Sequence, residues 1–162
     1  MSANDVELQM KRLKNLLKFM VKGLPKVKVG ILENTNPRST DGPSNAEIGF
    51  VNEFGKMTGG VRIPPRSFLR MPLNLFFNDK MKEKKSLSAE EFQKAIESGN
   101  GEKFMAKVGM VAEEVIQEAF ATNGYGKWEP NAKMTVELKG SDSPLIDTGQ
   151  LRRAITSKVI KE

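Results

Sequence analysis

The chain has 162 residues, with 26 Lys and Arg against 20 Asp and Glu for a formal charge of +6, and it contains neither Cys nor His. That length is ordinary for one domain, and the two absences exclude disulfides, thiolate or imidazole metal sites, and Cys or Ser-His nucleophile systems. An enzyme built on this chain would have to use carboxylates, Lys, Tyr or carboxylate-bound Mg²⁺. Most of the positive charges are Lys, which favours a solvated surface over bidentate phosphate or base contacts. The hydrophobic share of 38% is lean for a monomer and includes 9 Met, a composition expected of a subunit completed by neighbours. No uncharged apolar stretch approaches the roughly 20 residues of a membrane span, and Met1 to Asp5 does not open a signal peptide. The expectation is a soluble protein made in a reducing cytoplasm.

No internal repeat is evident. From Asn4 to Lys22, Val6, Met10, Leu13, Leu17, Met20 and Leu24 recur at spacings of three and four and predict an amphipathic helix, with Lys11, Lys14, Lys18 and Lys22 on its opposite face. Gly23 and Pro25 end it, and Lys26 to Ile31 alternates as a half-buried strand. Residues 34–45 are rich in turn formers and read as an exposed loop. Ala46 to Phe54 predicts a short helix capped by Ser44 or Asn45, with Ile48, Val51 and Phe54 inward and a stop at Gly55. Met57 to Gly60 reads as a flexible connection. Pro64 and Pro65 make the following segment extended and keep it out of any central strand, so residues 56–68 form an extended arm.

A helix is predicted over Leu69 to Lys82, and Ser88 with Glu91 forms a capping box before a shorter one. Phe104, Val108, Val111, Val115 and Ala119 lay down a second long amphipathic face ending at Asn123 and Gly124. Ala132 to Leu138 fits a helical turn or a short strand, Thr148 to Arg153 a single helical turn, and Ala154 to Ile160 a final strand. The predicted architecture is one α+β domain over residues 1–162, with a small antiparallel sheet packed against two long amphipathic helices and shorter ones.

Asp147-Thr148-Gly149 behind Leu145-Ile146 has the look of a retroviral-type aspartic protease motif, and a homodimer could supply the second Asp of a shared-proton dyad. Too few residues follow Gly149 to complete such a half-site, and Gln150 replaces the small residue that the motif favours. The structural alternative makes Asp147 a helix N-cap and Gly149 a turn residue. Gly124, Gly126 and Lys127 lack the spacing of a phosphate loop. The lysine face of the first helix has three readings: a solvated face, a rim meeting DNA or an acidic protein, or an interfacial membrane helix. No helix-turn-helix, zinc-finger or aromatic RNA-binding signature accompanies it, which argues against sequence reading. A small basic protein binding DNA non-specifically stays open as an alternative.

Two segments carry a more specific pattern. Asn45-Ala46-Glu47-Ile48-Gly49-Phe50-Val51-Asn52-Glu53-Phe54-Gly55 is followed by Ile63-Pro64-Pro65-Arg66-Ser67-Phe68-Leu69-Arg70. Trp128-Glu129-Pro130 then precedes Leu145-Ile146-Asp147-Thr148-Gly149-Gln150-Leu151-Arg152-Arg153-Ala154-Ile155. In this order they resemble the tailed-phage virion morphogenesis proteins, the Mu-like and siphophage tail-completion or head-tail joining family. Ser67 departs from the family's usual Pro, and Ala154 from its frequent Ser. The chain also stops soon after the last strand, where some relatives continue with further sheet.

The resemblance implies a non-enzymatic virion protein of the neck without metal or cofactor, a tail completion or tail terminator protein. It would assemble with itself as a ring, six-fold, between the head connector and the tail tube, with DNA passing through unread and no membrane partner. Glu53, Phe54 and Gly55 would then end a helix with Phe54 buried, and Ile63, Pro64, Pro65 and Arg66 would form a stiff arm presenting Phe68 and Leu69 for subunit contact. Arg66 or Arg70 would pair with Glu53 within or across subunits. Leu145, Leu151 and Ile155 would anchor the last turn and strand, and Lys11, Lys14, Lys18 and Lys22 would line the channel or its rim.

Overall fold

Residues 3–35, 42–146 and 148–160 are described by a computed structural model, and among them the chain is an α+β fold of seven α-helices and four strands in two antiparallel pairs. The first half runs α1 Ala3–Lys22, β1 Lys26–Ile31, α2 Asn45–Phe54, β2 Lys56–Thr58, β3 Val61–Ile63 and α3 Arg70–Glu83. The second half runs α4 Ala89–Glu97, α5 Gly101–Ala121, α6 Lys133–Lys139, α7 Gln150–Arg153 and β4 Ile155–Ile160. The two strands read from alternation, β1 and β4, pair with each other, from Lys26 opposite Ile160 to Ile31 opposite Ile155. This pairs the first strand of the described chain with its last.

The α5 helix organises everything else. Its buried residues, Phe104, Gly109, Val111, Ala112, Val115, Ile116, Ala119 and Phe120, are more numerous than one amphipathic stripe allows. The cause is cover on two sides, by α3 on one flank and by β1 and β4 on the other. Phe120 meets Phe68 with ring centroids 5.3 Å apart and Trp128 edge-on at 5.7 Å. Each such large side chain taken fully out of water stabilises the fold by about 1.5–3 kcal/mol. Where α5 crosses the sheet it carries Gly109, whose missing Cβ would lie 2.6 Å from Ser157 Oγ and 3.1 Å from Val27 Cγ1. Gly109→Ala is therefore expected to wedge α5 off the sheet and cost about 1–3 kcal/mol by overpacking. Thermal melts check this, and Ser157→Gly in the same chain should recover part of the loss.

Helix α1 ends at Gly23 and docks on α4 through its C-terminal half. Phe19 meets Phe92 edge-on at 6.0 Å, Phe92 meets Phe104 at 5.4 Å, and Asn15 Nδ2 donates to the Glu97 carbonyl at 2.7 Å. The side chains it turns inward are Asn15, Leu16 and Phe19, whereas Val6, Met10, Leu13, Leu17 and Met20 are exposed. The apolar row that announces the helix in the sequence is thus not the face that packs. Lys11, Lys14, Lys18 and Lys22 are exposed as well.

Several local expectations are corrected. The extended arm over 56–68 is a β-hairpin followed by an extended tail, because Gly59 and Gly60, at φ of 56° and 79°, make the left-handed two-residue turn that joins β2 to β3. Phe54 is 49% exposed rather than buried. Phe68, expected to be presented outward, is completely buried. The alternatives for residues 132–138 resolve to helix α6, closed by left-handed Gly140. At α7 the N-cap position is Gly149; Asp147, expected to cap this turn, lies outside the described residues. Of the expected loop over 34–45, residues 36–41 also lie outside them, while Glu33–Thr35 forms a single 3₁₀ turn.

Candidate functional site

The motif segments of the sequence meet around one carboxylate. Helix α2 begins at a complete capping box, with the Ser44 hydroxyl accepting from the Glu47 N–H and the Glu47 carboxylate accepting from Ser44. Its buried line is Asn45, Gly49 and Glu53, spaced by four, and it runs against the core because Gly49 has no side chain to hold it away from Ile31 and Phe68. Glu53 arrives at the far end of this line with its side chain 5% exposed. Gly55, at φ of 75°, then turns the chain sharply; a Cβ there would lie 2.9 Å from the Ile63 carbonyl oxygen.

The hairpin returns the chain so that the N-terminus of α3 faces Glu53. Oε1 accepts from Ser67 Oγ at 2.6 Å, from the Arg70 N–H at 3.1 Å and from Arg70 Nε at 3.1 Å. Oε2 accepts from the N–H groups of Phe68 at 2.8 Å and Leu69 at 3.0 Å. Ser67 Oγ in turn accepts from the Met71 N–H at 2.9 Å. The first N–H groups of α3, which no helical carbonyl can satisfy, are thus answered by a side chain from another helix whose negative charge also suits the positive end of the helix dipole. Burial pushes the Glu53 carboxyl up, but the Ser67 hydroxyl, the Leu69 and Arg70 N–H groups and the Arg70 guanidinium outweigh it, and it sits below its ordinary value of 4.5.

Arg66 does not pair with Glu53. It is buried, donates from Nε to the Glu129 carbonyl at 2.7 Å and from Nη2 to the Pro130 carbonyl at 2.9 Å, and so fastens the Trp128-Glu129-Pro130 loop to the segment before α3. Trp128 completes the fastening by donating Nε1–H to the Ser67 carbonyl at 3.1 Å. Gly124, left-handed, leaves the space its ring fills. The carboxylate hub therefore joins α2, the start of α3 and the Trp128 loop, and it rests on Phe68, which packs with Phe120, Trp128, Leu151 and Ile155 in one core.

Other residues singled out in the sequence fall around this hub. Ile63 and Pro64 are half-buried, Pro65 is exposed, and Leu69 packs against the core. Leu151 is buried in the core, Thr148 is exposed, and Arg153 Nη2 donates to the Thr148 carbonyl at 2.9 Å. Phe54 lies outside the hub, with the Arg70 guanidinium 4.2 Å from its ring centroid and Phe50, itself 65% exposed, at 4.8 Å. The four lysines of α1 belong to a separate surface. Sequence reasoning overlooked Ser67, treated as a simple replacement for Pro, although its hydroxyl both receives the Met71 N–H and donates to Glu53. It also overlooked Asn45 and Gly49 as inward positions.

Chemically, Glu53 is saturated: five donors converge on its two oxygens, which leaves it an anchor for backbone rather than a base. Among the described residues no group of acidic side chains is arranged to hold a metal ion, and no helix is long and apolar enough to cross a membrane. No protein-family model, curated protein or solved structure matches this chain.

Proposed function

We propose that this chain is a structural protein of a tailed-phage virion, a tail completion or tail terminator subunit that forms a ring at the neck between the head connector and the tail tube. The observation that carries the reading is the convergence of the resembling segments. Glu53, Arg66 to Arg70 and Trp128 to Pro130 come from three separate segments and form one hydrogen-bonded unit around Glu53. A unit of that kind fixes the relative position of a helix, a hairpin and a loop, which an assembling subunit requires.

The surface supports assembly by this chain rather than chemistry. Phe50 and Phe54 stand exposed on α2 and Met57 and Val61 on the hairpin, large apolar groups that a solvated monomer gains nothing by showing. The β1-β4 sheet has two strands among the described residues, so a strand or arm from a neighbouring copy could extend it. A ring built from such unlike patches closes by heterologous contacts. The exposed lysines of α1, at the channel wall or rim, would meet DNA backbone or acidic partners without reading sequence and with strong salt dependence.

Size-exclusion chromatography with light scattering at near-physiological salt tests the ring directly. A closed oligomer, six-fold by the resemblance, is the expected species, alone or on addition of tail tube protein. A strict monomer under both conditions would count against the proposal, and tight salt-dependent DNA binding by that monomer would favour a small DNA-binding protein instead.

A further inference from the structure

The exposed apolar row of α1 has a period that its own fold does not use. Val6, Met10, Leu13, Leu17 and Met20 are separated by four, three, four and three residues, the 3.5-residue repeat of a coiled-coil seam, and all five are roughly half exposed or more. The seam points away from the face carrying Asn15 and Phe19, which is already taken by α4. Every side chain described from residue 4 to residue 14 is exposed, so this half of α1 buries no apolar side chain against the other described elements. A helix of that length gains little stability by itself in water, and helices of proteins take most of theirs from packing.

We infer that the seam is covered by α1 of a second copy of this chain, lying antiparallel. Charge selects both the direction and the register. In an antiparallel pair the residues that follow the Val6 and Leu13 seam positions, Glu7 and Lys14, face their counterparts across the contact. Layers of Val6 on Leu17 and Met10 on Leu13 place each Glu7 beside the other copy's Lys14, giving two opposite-charge pairs. Sliding the helices by one heptad brings Lys14 against Lys14 in one direction and Glu7 against Glu7 in the other. A parallel pair would set Gln9 beside Lys14 and gain no ion pair. Burial of the seam with the stems of Glu7 and Lys14 removes about 1,000 Å² between the two copies, the lower end of what a specific contact needs. The α4 side of each helix stays outward, leaving each protomer's body clear of the pairing. This contact relates equivalent surfaces and does not depend on the proposed ring, whose contacts are between unlike ones.

Sedimentation equilibrium of the full chain, with circular dichroism to verify folding, tests the pairing. Leu13→Asp alters an exposed position, so the fold should persist while the α1 contact weakens by about 100-fold. Glu7→Lys should weaken it about tenfold, and Glu7→Lys with Lys14→Glu should restore it, since the swap rebuilds both ion pairs. Because the chain has no Cys, Met10→Cys and Leu13→Cys chains can be mixed, and under mild oxidation they should cross-link to each other in preference to themselves. Self-association unchanged by Leu13→Asp, or a charge swap that fails to restore what Glu7→Lys removes, would overturn the inference. A ring that persists in Leu13→Asp, with the mixed Cys chains cross-linking as expected, upholds the pairing and the ring separately; Cys chains that cross-link while the parent chain forms no ring would reject only the ring.

Discussion

Glu53→Ala is expected to lower stability by about 3–5 kcal/mol, the range for stripping one partner from a buried, hydrogen-bonded charge. The substitution orphans the N–H groups of Phe68, Leu69 and Arg70 together with the Ser67 hydroxyl and the Arg70 guanidinium. At this chain length each kcal/mol moves the melting temperature by about 2–4 °C, so a fall on the order of 10 °C is predicted. Glu53→Gln should recover little, because its amide NH₂ must face donors at one of the two oxygen positions and makes donor-to-donor contact there. Differential scanning calorimetry of the two variants distinguishes this account from one in which Glu53 is a surface charge, for which both changes would stay within about 0.5 kcal/mol.

The same carboxylate sets a pH dependence. Its pKa in the folded chain lies below 4.5, the ordinary value that it regains on unfolding, so the unfolded state binds the proton more readily. The stabilisation is present in full above that ordinary value and is lost as pH falls through the lower folded value. Chemical denaturation should therefore show stability declining through acid pH below about 4.5, with a shallower decline in Glu53→Gln. Glu47 and Glu114, lowered in the same direction by the Ser44 N–H and the Lys84 ammonium respectively, would supply a residual slope.

Phe68→Ala is expected to cost about 3–5 kcal/mol in the isolated chain, because it empties a fully buried site between Phe120 and Gly49. The result separates two pictures of the segment before α3. An arm presenting Phe68 to a neighbour would leave the monomer as stable as the parent and abolish assembly alone. A core Phe68 destabilises the monomer first, and loss of assembly follows from it. Phe50→Ser, by contrast, touches an exposed ring and should leave the melting temperature within a few degrees while weakening the proposed contact between subunits.

How far these features were legible depended on how local their causes are. The cap at Ser44, the stop at Gly55, the extent of α5 and the pairing strands β1 and β4 all follow from signals within a few residues, and each was readable. The inward face of α2 was legible only in part: Ile48 packs against the core as expected, but Asn45, Gly49 and Glu53 carry no hydrophobic signal, while Phe50 and Phe54, which do, are exposed. Glu53 is buried because Gly49 lets α2 lie close to the core and because the hairpin, turned by the left-handed Gly59 and Gly60, returns the start of α3 to meet it. For α1 the helix was legible but its packing was not: a 3.5-residue row looks the same whether the fold covers it or leaves it exposed, as here. Ser67 escaped notice because its role lies in a hydroxyl that bridges two elements far apart in sequence.

The measurement that bears most directly on the proposed role is location. Purified phage particles encoding this chain, probed by mass spectrometry and by antibody labelling in electron micrographs, should contain it in a few copies per particle at the junction of head and tail. Particles complete in head and tail yet lacking the chain would contradict a structural role at the neck.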